Sequence, residues 1–226
     1  MRLFPIIMAL FVTVLLVSNT VAVKITHIGP FYFDGATILF PIAYIFGDIL
    51  TEVYGYKRSR IVVWTGFAAC VIMSFIYWLV GMLPSADDWT GQSSYMAILG
   101  QTPRIVAASL AAYWCGEFVN AFILAKMKIA TGGRHLWSRT IGSTLAGQGV
   151  DTVIFVLIAF TGVIPGNLLL YMIISNYVFK TAFEILATPL TYAAVGYVKK
   201  TESIDTFDRD TDFNPFRVSF RDISGT

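Results

Sequence analysis

Apolar residues run almost unbroken through six stretches of this chain: Leu3–Val23, Ile38–Tyr54, Ile61–Ala86, Ile105–Ala125, Thr140–Thr161 and Leu168–Val198. A hydrophobic helix of about 20 residues crosses a bilayer. Core helices of soluble proteins are apolar along one stripe only; these blocks are apolar all round. The pattern predicts an all-α integral membrane protein, a six-transmembrane-helix bundle over residues 1–200 with a polar cytoplasmic tail over 201–226. Composition agrees, with 56% hydrophobic and 13% charged residues and a mean hydropathy of +0.69; soluble domains carry about a quarter charged residues. A soluble enzyme, a nucleic-acid-binding domain and a secreted disulfide scaffold are excluded. The first span exceeds the roughly 7–15-residue apolar core of a signal peptide, and Ser18-Asn19-Thr20 interrupts it, so it reads as a retained helix.

The distribution of the 16 Lys and Arg residues orients the bundle. Arg2, Lys57, Arg58, Arg60, Lys126, Lys128, Arg134, Arg139, Lys199 and Lys200 fall in alternate connections, while the others hold only Lys24 and Arg104. Positive residues mark cytoplasmic loops, so both termini are expected inside. Trp78, Trp89, Trp137 and Phe31-Tyr32-Phe33 lie near span ends, as an interfacial aromatic belt should. Cys70 and Cys115 sit in separate spans and read as small apolar residues. His27 and His135 are in opposite-facing loops, so neither a metal nor a cofactor is expected. The pattern Phe213-Asn214-Pro215-Phe216 suggests that part of the tail docks, and the small bundle with its tail points to a homodimer.

Candidate chemistry lies in the polar residues that the spans retain. A charge at the centre of a membrane helix costs about 2.5–3.5 kcal/mol on insertion scales, yet this chain keeps Asp48, Glu52, Glu117, Asp151, Lys180 and Glu184, with the amides Asn19, Asn120, Gln148 and Asn176. Residues three or four apart share a helix face. That rule pairs Asp48 with Glu52, Glu117 with Asn120 and Gln148 with Asp151, and lines up Asn176, Lys180 and Glu184. Each stripe must turn inward from lipid. Asp151 and Lys180 fall near mid-span, and Pro189 should kink the sixth span by freeing the carbonyl of Ile185. Glu52, close to a helix end, is equally well read as a partner of Lys57 or Arg58. Asp151–Lys180 also admits a reading as a structural ion pair, while the set together favours functional use. Five acids against one lysine require either protonated carboxyls or a ligand rich in hydrogen-bond donors. Tyr44, Phe46, Tyr113, Tyr177 and Phe183 would suit a flat aromatic ligand. A carboxylate accepts two hydrogen bonds from the N1–H and exocyclic amine of a guanine-like base while an aromatic ring stacks on its face.

Span two carries Pro41 and Gly47; span five carries Gly142, Gly147 and Gly149. Interrupted helices in matching positions of two halves suggest a three-plus-three inverted repeat around a substrate site. The same glycines also serve close packing, through Gly142/Ala146 and Ser143/Gly147.

At these residues the chain resembles the queuosine precursor transporter family, also called the vitamin-uptake-like family. The resemblance rests on Ser18-Asn19, on the long run from Phe40 through Gly47-Asp48 and Thr51-Glu52 to Tyr56, on Arg139–Thr144, Gly147–Thr152 and Asn176–Lys180, and on Asp212–Phe216. It implies a multi-pass importer of the cell inner membrane for deazaguanine bases in their cyano or aminomethyl forms, salvaged for queuosine in tRNA. Asn19, Asp48, Asp151 and Lys180 match motif positions; Glu117 and Glu184 stand outside the shared pattern. The bottom-up and family readings converge on alternating access around Asp48, Asp151 and Lys180, with Asn19, Glu117, Asn120, Gln148, Asn176 and Glu184 as hydrogen-bond partners of a purine-like substrate. A rival is the substrate-binding subunit of an energy-coupling-factor transporter, which needs an ATPase module. Its Ala-xxx-Ala docking pattern is missing from the first span, where only Ala9 and Ala22 occur, so an ATPase partner is not expected. A membrane enzyme lacks a nucleophile–base pair, because no histidine falls inside a span.

Overall fold

The computed structural model describes the backbone of residues 1–130, 136–204 and 206, and their side chains except at 40, 41, 44, 117, 118, 121, 124–130, 136–140, 143 and 184. The inner-loop residues Gly132, Gly133, His135 and Trp137 and the tail motif around Phe213 therefore lie outside the described residues in whole or in side chain.

Helices α1 (Phe4–Val21), α2 (Phe40–Tyr54), α3 (Tyr56–Gly81), α4 (Gln92–Ile98), α5 (Thr102–Ala130), α6 (Leu136–Phe160) and α7 (Gly166–Glu202) follow in order, with strands β1 (Ile25–Ile28) and β2 (Phe31–Asp34) between α1 and α2. Each expected apolar block coincides with a helix, although several ends differ. α3 begins at Tyr56 rather than Ile61, because Lys57, Arg58 and Arg60 continue the helix beyond its apolar part instead of ending it; α7 runs on to Glu202 for the same reason. By length and composition alone, α1 and α3 suffice to cross a bilayer among the described residues. α7 is a third candidate when its arms Gly166–Phe183 and Ile185–Glu202, which meet at 44°, count as one span. The bend falls where Pro189 withdraws the N–H that the carbonyl of Ile185 would accept. α2 is only 15 residues long.

The fold is mostly helical rather than all-helical, because the connection after α1 forms an antiparallel hairpin around Gly29-Pro30, with Ile25 opposite Asp34 and Ile28 opposite Phe31. The hairpin folds back onto α7. The Tyr32 N–H donates to Ser175 Oγ at 3.0 Å, and the Phe33 and Phe179 rings meet edge-on at 5.6 Å. Phe33, expected in the interfacial belt, is instead buried. At Gly35, just past β2, a Cβ would run into the backbone carbonyl of Val21, so only glycine lets the hairpin pass under the end of α1.

Two apolar clusters bracket the middle of the bundle. One joins the start of α1, the end of α2 and the end of α7 through Phe4, Ile7, Leu50, Val53, Tyr54 and Val198. The other joins the start of α5, the end of α6 and the start of α7 through Ile105, Ala108, Val156, Phe160 and Met172, with Ala36 beside the hairpin. Helices α5 and α6 cross at backbone contact. A Cβ on Gly116 would lie 2.9 Å from the Gly147 carbonyl oxygen, and one on Gly147 would lie 2.8 Å from that of Gly116. Small residues permit such approach in membrane helices; here the closest pair is Gly116–Gly147.

Candidate functional site

Between the two clusters, the hairpin and α7 assemble a buried polar network. The end of β2 delivers Asp34, which is 1% exposed. Its Oδ1 accepts the Ala36 N–H at 2.9 Å, and its Oδ2 accepts from Asn176 Nδ2 at 3.0 Å. Asn176 Oδ1 in turn accepts from Thr37 Oγ1 at 3.1 Å. One turn further along α7, Lys180 Nζ donates to Asp151 Oδ2 on α6 at 2.8 Å, and its charge also acts on Asp34. At 1.5 Å per residue, Asn176 and Lys180 lie about 15 and 21 Å along α7. Lys180 and Asn176 are each 2% exposed and Asp151 29%, so a buried ammonium stands between one buried carboxylate and one half-buried carboxylate. Such groups hold together only where each is hydrogen-bonded.

Asp151 and Lys180 face a cavity of about 150 Å³. Leu15, Ser18 and Asn19 of α1 form one side, Phe67 and Cys70 of α3 another, and Ser109, Leu110 and Tyr113 of α5 a third. Phe155, Ala36 and, from α2, Ala43 also line it. Asn19 is fixed from both sides: its Nδ2 donates to the Leu15 carbonyl at 2.9 Å, and its Oδ1 accepts from Ser109 Oγ at 2.9 Å. An apolar cavity of this size takes a benzene-sized ring. The lining is apolar apart from a few convergent polar groups, the usual form of a small-molecule site.

The candidate residues divide accordingly. Asn19, Tyr113, Asp151 and Lys180 border the cavity, and Asn176 stands behind it in the Asp34 network. Gln148 is buried one turn before Asp151. Asn120 packs where Gly147 allows it, with Oδ1 buried and no hydrogen-bond partner among the described residues. Asp48 is exposed and does not border the cavity. Glu52 pairs with Lys199 at 3.5 Å rather than with Lys57 or Arg58. Phe46 packs on the apolar cluster of α1, α2 and α7, Tyr177 donates its hydroxyl to the Leu145 carbonyl at 3.3 Å, and Phe183 stacks on Phe179 at 6.2 Å. The side chains of Tyr44, Glu117 and Glu184 lie outside the described residues. Among the described residues, no three His, Cys, Asp or Glu side chains gather to hold a metal ion.

Sequence reasoning missed Asp34, Thr37, Ser109 and Phe67. For Asp34 a signal existed: Gly29-Pro30 is a turn marker between two short β-branched and aromatic runs that read as strands, and the acid closes the hairpin they form.

A helical bundle of strongly apolar segments that surrounds a small cavity with a buried ion pair has the form of a membrane carrier site. Residues 34–194 match the family described as "Putative vitamin uptake transporter", and the chain belongs to that family. The matched segment contains Asp34, Asp151, Asn176 and Lys180 and leaves Asn19 outside it. A Bacillus subtilis (strain 168) protein named "Probable queuosine precursor transporter" is 31% identical over 156 residues, which is 69% of this chain and 68% of the relative. An Escherichia coli (strain K12) protein named "Queuosine precursor transporter" is 23% identical over 154 residues, 68% of this chain and 67% of the relative. No solved structure matches. The chain is a transporter, not an enzyme.

Proposed function

We propose that this transporter imports queuosine precursors, 7-deazaguanine bases in cyano or aminomethyl form, by alternating access around the cavity that Asp151 and Lys180 face. The names of the relatives support the substrate class. The observation that carries the site is the 2.8 Å Asp151–Lys180 pair at the wall of a 150 Å³ cavity. Asp151, the more exposed partner at 29%, offers carboxylate oxygens to the N1–H and exocyclic amine of the base. Asn19 and Ser109 supply further hydrogen bonds, and Phe67, Tyr113 and Phe155 supply ring faces. The cavity is partly open, and its few convergent polar groups among apolar walls suit a flat base.

In this reading six helices span the cell inner membrane with both termini inside. The Arg2 N–H and Leu3 N–H donate to Glu202 at the end of α7, and Thr206 Oγ1 donates to the Val53 carbonyl at the end of α2. The chain's start and the ends of α2 and α7 thus share one face, and Arg2, Lys57, Arg58, Lys199 and Lys200 lie at those ends. Helices α1–α3 and α5–α7 then run in opposite senses, as an inverted repeat requires, with α2 and α6 as counterparts. Uptake of radiolabelled deazaguanine by the purified protein in liposomes free of any ATPase tests the reading. Uptake without ATP supports it, whereas uptake only after addition of an ATPase module returns the protein to the energy-coupling-factor class.

A further inference from the structure

A second cavity, of about 180 Å³, opens between the end of α2, the start of α3 and α5. Its walls are unlike those of the first. Arg60, 7% exposed, sets its guanidinium over the Tyr56 ring at 5.4 Å. Trp64 and Trp114 lie with ring centroids 5.8 Å apart. Thr51 Oγ1 donates to Ser59 Oγ at 3.0 Å. Tyr113 borders both cavities, and the two are linked by a continuous aromatic wall. Phe67, on the first cavity, meets Tyr113 edge-on at 5.0 Å and Trp64 at 6.2 Å.

We infer that this second cavity is a release station for the same flat, hydrogen-bonding aromatic cargo, with the Phe67–Tyr113 pair as the partition between it and the central site. The inference rests on the transport reading above and adds a second binding place to it. The two places are chemically complementary. The central cavity presents carboxylate acceptors to the donor edge of the base. The second presents the guanidinium and hydroxyl donors to its carbonyl and to the nitrile of the cyano form. A guanidinium offers up to five N–H groups in a fixed plane, and indole rings stack on any flat base. The station lies toward the basic connection that carries Lys57 and Arg58, the side on which an importer discharges its cargo. A base leaving Asp151 would slide along Phe67 and Tyr113 without passing through lipid.

The test uses the full-length protein in liposomes with the cyano base as probe. Central binding is read by thermal shift, and occupancy of the second cavity by tryptophan quenching. Arg60→Gln is expected to keep the thermal shift and to lose about tenfold or more in uptake, with Arg60→Lys recovering part of it. The double variant Trp64→Phe/Trp114→Phe, a conservative change that keeps aromatic walls, is expected to lose most of the quench while its thermal shift persists. Undiminished uptake by Arg60→Gln, or a quench unaltered in the double variant, overturns the station and leaves the central site standing. A thermal shift and an uptake that fall together in Arg60→Gln also overturn it, since Arg60 would then act on the central site. Wild-type protein that neither binds nor carries the base overturns the transport reading itself, and the station with it.

Discussion

Replacing Lys180 by methionine keeps most of the side-chain volume and removes the ammonium that, among the described residues, lies beside Asp34 and Asp151. At 2.8 Å and an effective dielectric constant near 20, the Lys180–Asp151 attraction is roughly 6 kcal/mol. Most of it offsets the cost of taking the two charges out of water, so the net contribution is far smaller. Deleting one partner is another matter, because it strands the opposite charge, at about 3–5 kcal/mol. Asp151 is 29% exposed, so water relieves part of its strain, and the lower end applies. About 3 kcal/mol corresponds to a roughly hundredfold fall in the folded-to-unfolded ratio. The assay is initial-rate uptake of labelled deazaguanine at matched protein abundance, with a melting curve on the same preparation. Lys180→Met should lose both uptake and thermal stability. Adding Asp151→Asn should restore part of the melting temperature, since Asp34 is then the one carboxylate of the pair left without the ammonium, but should not restore uptake. Unchanged melting and uptake in Lys180→Met would refute the electrostatic argument; full recovery of uptake in the double variant would refute the role of the pair in binding.

Three further outcomes follow from other contacts. Asp34→Asn keeps the shape but withdraws a carboxylate oxygen from Asn176; it should cost about 1–3 kcal/mol and reduce uptake although Asp34 does not border the cavity, and wild-type melting would contradict the buried network. Gly147→Ala places a Cβ 2.8 Å from the Gly116 carbonyl oxygen, backbone that does not yield, so overpacking of about 1–3 kcal/mol should lower membrane abundance more than Gly47→Ala, whose Cβ would meet open space. Glu202 is held below the usual carboxylate range, chiefly by the Leu3 N–H. Its contribution to stability is therefore complete above the ordinary glutamate pKa and lost as pH falls through the depressed value, so the wild-type melting temperature should drop more on acidification than that of Glu202→Gln; parallel curves would contradict the contact.

The helical blocks were legible because crossing a bilayer demands length and apolarity together, and few other folds do. Their ends were less so. Lys57, Arg58 and Arg60 look like a loop from composition, yet a helix leaving the membrane continues readily through basic residues. Lys180 and Asp151 could be singled out because a lone base among intramembrane acids needs a partner. Asp48 could not be settled in that way. Helical spacing fixes its angle on α2 but not which neighbour that face meets, and the face lies exposed. Glu52 found Lys199, across the bundle, in place of its sequence neighbours, because tertiary packing brings the ends of α2 and α7 together. Asp34 stayed hidden for a different reason. Its strand is four residues long, too short for alternation to register, and its burial is decided only when the hairpin lies down on α7.

The central claim, that a carboxylate at the cavity wall reads the donor edge of a guanine-like base, is tested most directly by thermal shifts of the purified protein with the cyano and aminomethyl deazaguanines, guanine and adenine. The account predicts stabilisation by both deazaguanines, a smaller response to guanine, none to adenine, and loss of all of them in Asp151→Asn. A response to adenine equal to that of the deazaguanines, or one that survives in Asp151→Asn, would contradict it.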